Sequence, residues 1–153
     1  MSEASVVAIF TAPKKHVPLV SRDEVAAIAG QGLEGDRYFN PEGWDEPKRE
    51  LTLVELEAVE AANRDYDLGL KPVDMRRQIV TKGVALNHLI GREFTIGDVK
   101  CRGVKLNEPC AHLRKLADKP LIKPMIHRGG LRAQILESGM IRVGDPIVTN
   151  ITS

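Results

Sequence analysis

Phe94-Thr95-Ile96-Gly97-Asp98-Val99-Lys100-Cys101-Arg102-Gly103-Val104-Lys105-Leu106 is the stretch that decides the fold class. Apolar and polar residues alternate on both sides of Gly97-Asp98, which is the period of a half-buried strand. A Gly-Asp pair between two such runs makes a tight hairpin, because glycine supplies the positive φ that the turn requires. The alternation carried by Val99 and Cys101 breaks at Gly103 and resumes at Val104 and Leu106. A one-residue slip at a glycine predicts a β-bulge, a device that bends barrel strands. Cys101 shares the phase of Val99 and is read as a core residue.

Working outward, Ile141-Arg142-Val143-Gly144-Asp145-Pro146-Ile147 repeats the design of run, Gly-Asp pair and run, and predicts a second hairpin. Short β-branched or alternating runs predict strands over 5–11, 17–20, 50–53, 78–81 and 131–136. Ser21-Arg22-Asp23-Glu24 has the spacing of a capping box, so 25–29 reads as a helical turn stopped by Gly30. Residues 30–49, rich in Gly, Pro, Asn and Asp, read as a loop. Val54, Leu56, Val59 and Ala62 fall on one face of a helix running to about Arg64, with Thr52 as its cap. Residues 85–90 read as a helical turn ended by Gly91. Many short strands, one main helix, a few short helical turns and no βαβ rhythm point to a mostly β, single-domain barrel with its core over about 6–148.

The chain has 153 residues, with 22 basic and 21 acidic side chains and a formal charge of +1. That balance gives no reason to invoke nucleic acid or a membrane surface, and the few aromatics argue against base-stacking platforms. The apolar run 6–10 is too short for a signal peptide or a membrane span. Two cysteines without an export signal fit free thiols in a reducing cytoplasm.

Gly30-Gln31-Gly32-Leu33-Glu34-Gly35 matches the dinucleotide-binding pattern, but that mechanism needs a strand before the glycines and a helix after them. Asp36-Arg37-Tyr38-Phe39-Asn40-Pro41 cannot open a long helix, so these glycines are read as shaping a loop that delivers Asp36 and Arg37. An Asp36–Arg37 ion pair within a structural turn is the competing reading. His16, His88, His112 and His127 show no paired metal-ligand spacing. Cys110 follows Asn107-Glu108-Pro109, a capping residue and a proline suited to a helix's first turn. A thiol there meets unpaired N–H groups, with His112, Arg114 and Lys115 close by, and this favours the thiolate. The alternative is a small buried hydrophobe. Arg76-Arg77 and Arg128-Gly129-Gly130-Leu131-Arg132 supply guanidinium forks and accessible backbone N–H groups, the materials of an anion pocket.

Taken in order, Gly32-Leu33-Glu34-Gly35-Asp36-Arg37-Tyr38, Arg76-Arg77-Gln78-Ile79-Val80-Thr81-Lys82-Gly83-Val84, Phe94 to Asp98, Glu108-Pro109-Cys110, Arg128 to Ala133 and Gly139 to Asp145 resemble the MOSC domain. This family is named for the C-terminal domain of molybdenum cofactor sulfurases. The resemblance implies a β-rich barrel and either binding of the molybdenum cofactor or carriage of sulfur, centred on Cys110. It implies Cys110 as molybdenum ligand or persulfide carrier. Arg76, Arg77, Arg128 and Arg132, with Gly129 and Gly130, would hold the cofactor's anionic end, and Asp36 and Arg37 would shape the loop over the pocket. Some members reduce N-hydroxylated compounds. This chain has no pyridoxal-phosphate domain and no room for a flavin or iron–sulfur module, so a separate reductase or sulfur-donor protein is the implied partner. Gln78 departs from the asparagine usual after the two arginines. Two further readings stand beside this one: a metal-free enzyme with Cys110 as nucleophile and a histidine base, and a non-catalytic cofactor-binding or sensing module.

Overall fold

The computed structural model describes residues 4–108 and 123–149. The strands among them are β1 (Ser5–Thr11), β2 (Val20–Arg22), β3 (Glu24–Ile28), β4 (Gly32–Leu33), β5 (Leu51–Glu55), β6 (Ile79–Lys82), β7 (Glu93–Ile96), β8 (Val99–Leu106), β9 (Leu131–Glu137), β10 (Gly139–Arg142) and β11 (Ile147–Val148). The main helix, α1, is Leu56–Tyr66, and single 3₁₀ turns occupy Pro47–Arg49, Pro72–Met75 and Leu86–Leu89. The protein is thus mostly β with one main helix.

β7 and β8 form the hairpin read from the sequence, with Ile96 opposite Val99 and Gly97 at φ 57°. The bulge is present as well. Gly103 pairs with Ala133 and Lys105 with Arg132, which leaves Val104 as the extra residue. Glycine is required at 103, since an added Cβ would meet the Leu89 carbonyl. Cys101 is fully buried, and burial pushes its thiol well above the usual range, which fits the core reading.

The sheets correct the barrel. Eight strands run in the order β11-β7-β8-β9-β5-β6-β1-β2, and β10-β3-β4 form a separate sheet. Neither sheet closes. β1 carries β2 along its outer edge, and the β11 end of the sheet reaches β1 only through the isolated Ser5–Pro146 bridge and a few neighbouring backbone bonds.

Three local expectations also fail, each for a non-local reason. Residues 25–29 are mostly strand, because β3 pairs with both β4 and β10 and alternately buries Val25 and Ala27; short Val/Ala runs fit either period, and tertiary pairing decides between them. β10 and β11 do not form a hairpin. Val6 N–H donates to the Asp145 carbonyl, Gly97 N–H donates to the Pro146 carbonyl, and Pro146 itself has no N–H for a ladder, so the chain leaves for the other sheet. Finally, β5 and β6 are parallel, which makes β5-α1-β6 one βαβ crossover.

The helix begins later than expected. Val54 stays in β5, and the Thr52 hydroxyl accepts the Gln78 N–H instead of capping α1. The chain turns out of α1 at Asp67, which adopts the left-handed region. Val59 and Ala62 of α1 bury with Val54, Val80, Met75 and Met125 on one face of the large sheet. Leu51, Leu53, Ile79, Phe94, Cys101, Leu131 and Ile135 fill the other face, together with Val25, Ala27 and Ile141 of the small sheet.

Glu50 stitches these parts together. It is buried, and its Oε1 accepts N–H bonds from Gly30 at 2.9 Å and Ile135 at 3.0 Å. Burial outweighs those two bonds and raises its pKa above the ordinary carboxylate value. A raised carboxyl pKa means that the folded state binds more protons than the unfolded one between the two pKa values, so this group costs stability as pH rises through that window. Glu50→Gln is expected to lose less stability than the wild type as pH rises above the ordinary carboxylate pKa. Urea midpoints across that range check it, and parallel curves would remove the Glu50 contribution.

Candidate functional site

The 3₁₀ turn Pro72–Met75 ends with Arg76 in the left-handed region at φ 54°. This reversal sends consecutive arginines into different surroundings. Arg77 is buried. Its Nε donates to the Gly129 carbonyl at 2.8 Å, Nη2 to the Asn107 carbonyl at 2.8 Å and Nη1 to the Met75 carbonyl at 3.1 Å. One guanidinium thus gathers three segments: the arginine turn, the end of β8 that leads toward Cys110, and the Gly-Gly approach to β9. Asn107 N–H also donates to the Gly130 carbonyl at 2.8 Å. Gly130, at φ 110°, lies so close to β5 that an added Cβ would meet the Leu53 carbonyl. Arg77, Gly129 and Gly130 come together here, with Arg77 bonded to backbone.

Asp36 is the second anchor. It is buried; Oδ1 accepts the Ala12 N–H at 2.9 Å, and Oδ2 accepts the Tyr38 N–H at 3.2 Å and Gln78 Nε2 at 2.7 Å. Gln78 Oε1 accepts the Thr52 N–H at 2.9 Å. The side chain that departs from the family pattern is therefore the tether of the Asp36 loop. No Asp36–Arg37 ion pair is found among the described residues. Arg37 instead lies over the Tyr38 ring, 4.5 Å from its centroid, and donates to the Tyr38 hydroxyl at 2.9 Å.

Arg76 donates from Nη2 to the Val17 carbonyl at 2.9 Å, while its Nε is buried with no hydrogen-bond partner. Burial, and then the positive charge of Arg37, hold its pKa below the ordinary arginine value. Arg37 and Arg76 are thus close enough to repel, and neither has a carboxylate ion-pair partner among the described residues. Arg132 pairs with Thr52 across β9 and β5, so its side chain leaves the sheet on the face that carries Thr52. Its Nη1 lies 3.4 Å from the Lys48 carbonyl.

Arg128 stands apart from this group. Its Nη2 donates to Asp65 of α1 at 2.8 Å, and it is the foremost of the groups holding the Asp65 carboxyl below its usual range. Beside it lies a cleft of about 260 Å³ lined by Glu55, Glu57, Asn87, His127, Arg128 and Gly130, among others. His127 adopts a left-handed conformation held by Glu108, which accepts the His127 N–H at 2.7 Å and faces Nδ1 at 2.8 Å.

Cys110 and His112, with the helical turn expected there, lie outside the described residues. The sequence reading also passed over Tyr38 and the Glu108–His127 pair, and read Thr52 only as a helix cap. Tyr38 was within reach of sequence, since it directly follows Arg37. The other contacts join residues too distant in the chain for any local pattern to show.

No curated protein matches the chain. Several solved structures share its fold, three of which follow. The YuaD protein from Bacillus subtilis is 17% identical with a TM-score of 0.82, covering 95% of this chain and 94% of that one. YiiM from Geobacillus stearothermophilus is 15% identical with a TM-score of 0.75, covering 95% and 74%. YiiM from Escherichia coli is 18% identical with a TM-score of 0.73, covering 100% and 71%. The MOSC domain profile matches residues 9–148, a span that holds all strands but the first half of β1, together with the arginines and Cys110. With that match over nearly its whole length, the chain belongs to the MOSC domain family.

Proposed function

We propose that this protein binds the molybdenum cofactor, or carries sulfur for it, with Cys110 as the molybdenum ligand or persulfide carrier. The observation that carries the reading is the Arg37–Arg76 pair: two guanidiniums whose like charges oppose each other and that have no carboxylate ion-pair partner among the described residues. Such a pair is stabilised by an anion between its members, and guanidinium forks suit phosphate oxygens. The cofactor carries a phosphate, so the residues present fit the group. Arg37 and Arg76 would hold that phosphate, with Arg132 adding positive charge, while Arg77, Gly129 and Gly130 fix the backbone that frames it. A thiolate is a soft ligand suited to molybdenum and can equally hold a persulfide. When bound, the metal supplies two-electron chemistry at the site. Reduction of N-hydroxylated compounds would draw its electrons from a separate reductase, and sulfur carriage would draw its sulfur from a separate donor protein. No helix among the described residues is long and apolar enough to cross a membrane, and we place the protein in the cytoplasm.

Metal analysis of protein made in a host that synthesises the cofactor tests the proposal. Near-stoichiometric molybdenum is expected in the wild type, with most of it lost in Cys110→Ser and retention weakened in Arg76→Gln. Traces of molybdenum that Cys110→Ser leaves unchanged would sink it.

The Glu108–His127 pair favours one second reading, a metal-free enzyme with Cys110 as nucleophile. A carboxylate that holds Nδ1 sets the other imidazole nitrogen as a base. That enzyme would lose activity on alkylation and be indifferent to tungstate in the growth medium.

A further inference from the structure

The cleft of about 260 Å³ beside Arg128 has no part in the anion-site reading. It lies between the start of α1 and the approach to β9, and Ala58 and Ala61 of α1 give it an apolar wall. Its charges do not balance. Arg128 is committed to Asp65 at 2.8 Å, and His127 faces Glu108 at 2.8 Å. Glu55 and Glu57, which line the same cleft, have no ion-pair partner among the described residues. Each is tethered through one oxygen to the loop that follows β6. Glu55 Oε2 accepts the Leu86 N–H at 3.1 Å, and Glu57 Oε2 accepts the Gly83 N–H at 2.7 Å. The second oxygen of each accepts no hydrogen bond from a described residue. Asn87 is alike: its Nδ2 donates to the His127 carbonyl at 2.8 Å, and its Oδ1 accepts from no described residue. Burial pushes the Glu55 carboxyl above its ordinary range; the Leu86 N–H opposes this, Glu57 adds to the rise and His88 subtracts from it. Glu55 is half-buried, and an unpaired carboxylate in such a place is costly until a cation joins it. No group of three metal-binding side chains comes together among the described residues, so the lining suits an organic cation: acceptors for N–H groups on one side, alanine methyls for carbon on the other.

We propose that this cleft binds a small organic cation, a primary ammonium on a short apolar body. The ammonium donates to the free carboxylate oxygens of Glu55 and Glu57, and the carbon chain lies along Ala58 and Ala61. Charge-assisted bonds from N–H to carboxylate are the strong kind, and both acceptors are already fixed in place by backbone N–H groups. The site is separate from the Arg37–Arg76 pair and does not depend on what Cys110 holds.

The test is an NMR titration of the full chain with butylammonium chloride, read at the amide signals of Ala58, Ala61 and Asn87. Butanol keeps the carbon body without the charge, and tetramethylammonium keeps the charge without N–H donors. The wild type is expected to bind butylammonium about tenfold more tightly than either. Glu55→Gln retains an oxygen for the Leu86 N–H, so its melting temperature should hold while butylammonium affinity falls about tenfold. Glu57→Gln should behave likewise. Ala61→Leu leaves both carboxylates but fills the apolar wall, and should also weaken binding. Cys110→Ser should bind as the wild type does, which separates this site from the molybdenum reading. The proposal is overturned if the wild type does not bind butylammonium, if tetramethylammonium binds equally well, or if Glu55→Gln and Glu57→Gln both bind like the wild type. Wild-type affinity in Ala61→Leu overturns it too, because the ammonium would then be held by surface charge and not by the cleft.

Discussion

Arg77→Met should destabilise this protein by about 3–5 kcal/mol, the usual cost of breaking a buried charged network. The substitution removes the donors of three bonds and leaves the carbonyls of Met75, Asn107 and Gly129 facing an apolar side chain. Hydrogen bonds from a charged donor contribute roughly 1.5–3 kcal/mol each, and a buried acceptor left unmade adds its own penalty. Met is close to Arg in length and fills much of the space, so the loss reports the bonds more than a cavity. Against a total of about 5–15 kcal/mol, such a change is severe. Arg77→Lys retains the charge but not the planar fork, and three acceptors arrayed around one plane cannot all be reached by one ammonium. It should recover only part of the loss. Urea unfolding of the three proteins checks this, and a Lys variant as stable as the wild type would show that charge alone suffices. The variant should also lower molybdenum retention, because the segment leading to Cys110 is one of the three held.

Gly130→Ala should be at least as damaging. Its φ of 110° is a conformation that a side chain rarely adopts, and the new Cβ would meet the Leu53 carbonyl on the neighbouring strand. A rigid backbone atom cannot give way as the end of a flexible side chain would. Strain alone costs about 1–3 kcal/mol, and the enforced separation of β9 from β5 adds to it. We expect a melting temperature lowered by on the order of 10 °C or more, since about 1 kcal/mol moves a chain of this size by roughly 2–4 °C. Gly91→Ala serves as the internal comparison. Gly91 also has positive φ, but nothing lies within 4 Å of its would-be Cβ, so only the strain is incurred. Equal losses in the two variants would mean that the close approach to Leu53 contributes nothing.

The β7–β8 hairpin, the phase slip at Gly103 and the core phase of Cys101 were legible because each leaves its mark within a few neighbouring positions, even though the bulge itself is completed by β9. The closed barrel was not, because closure depends on which strands find each other at the sheet edges. Residues 25–29 failed for the same reason: Val25 and Ala27 take their state chiefly from Ile141 and Gly139, more than a hundred positions away. At the site, sequence identified the arginines but could not divide them. Arg76 and Arg77 are adjacent and chemically identical, yet the left-handed backbone at Arg76 leaves one with an unsatisfied Nε and binds the other to three carbonyls. Arg128 and Arg132 are four positions apart, and one is held by Asp65 of α1 while the other leaves the sheet opposite Thr52. Gln78 was noticed as a departure, but its bond to Asp36, which fixes the loop carrying Arg37 and Tyr38, joins positions far apart in the chain.

The three-stranded sheet has a kinetic consequence. Its longest ladder joins Glu24–Ala27 to Gly139–Arg142, more than a hundred positions apart, and the Ser5–Pro146 bridge spans farther still. Such pairings must close very long loops before any contact stabilises them, so chains of this kind fold over milliseconds to seconds instead of microseconds. On the ribosome neither sheet can be completed until the last strands have emerged. Through most of its synthesis the apolar face of β3 waits uncovered, and a chaperone that shields it would shorten the interval in which the nascent chain can associate with its neighbours.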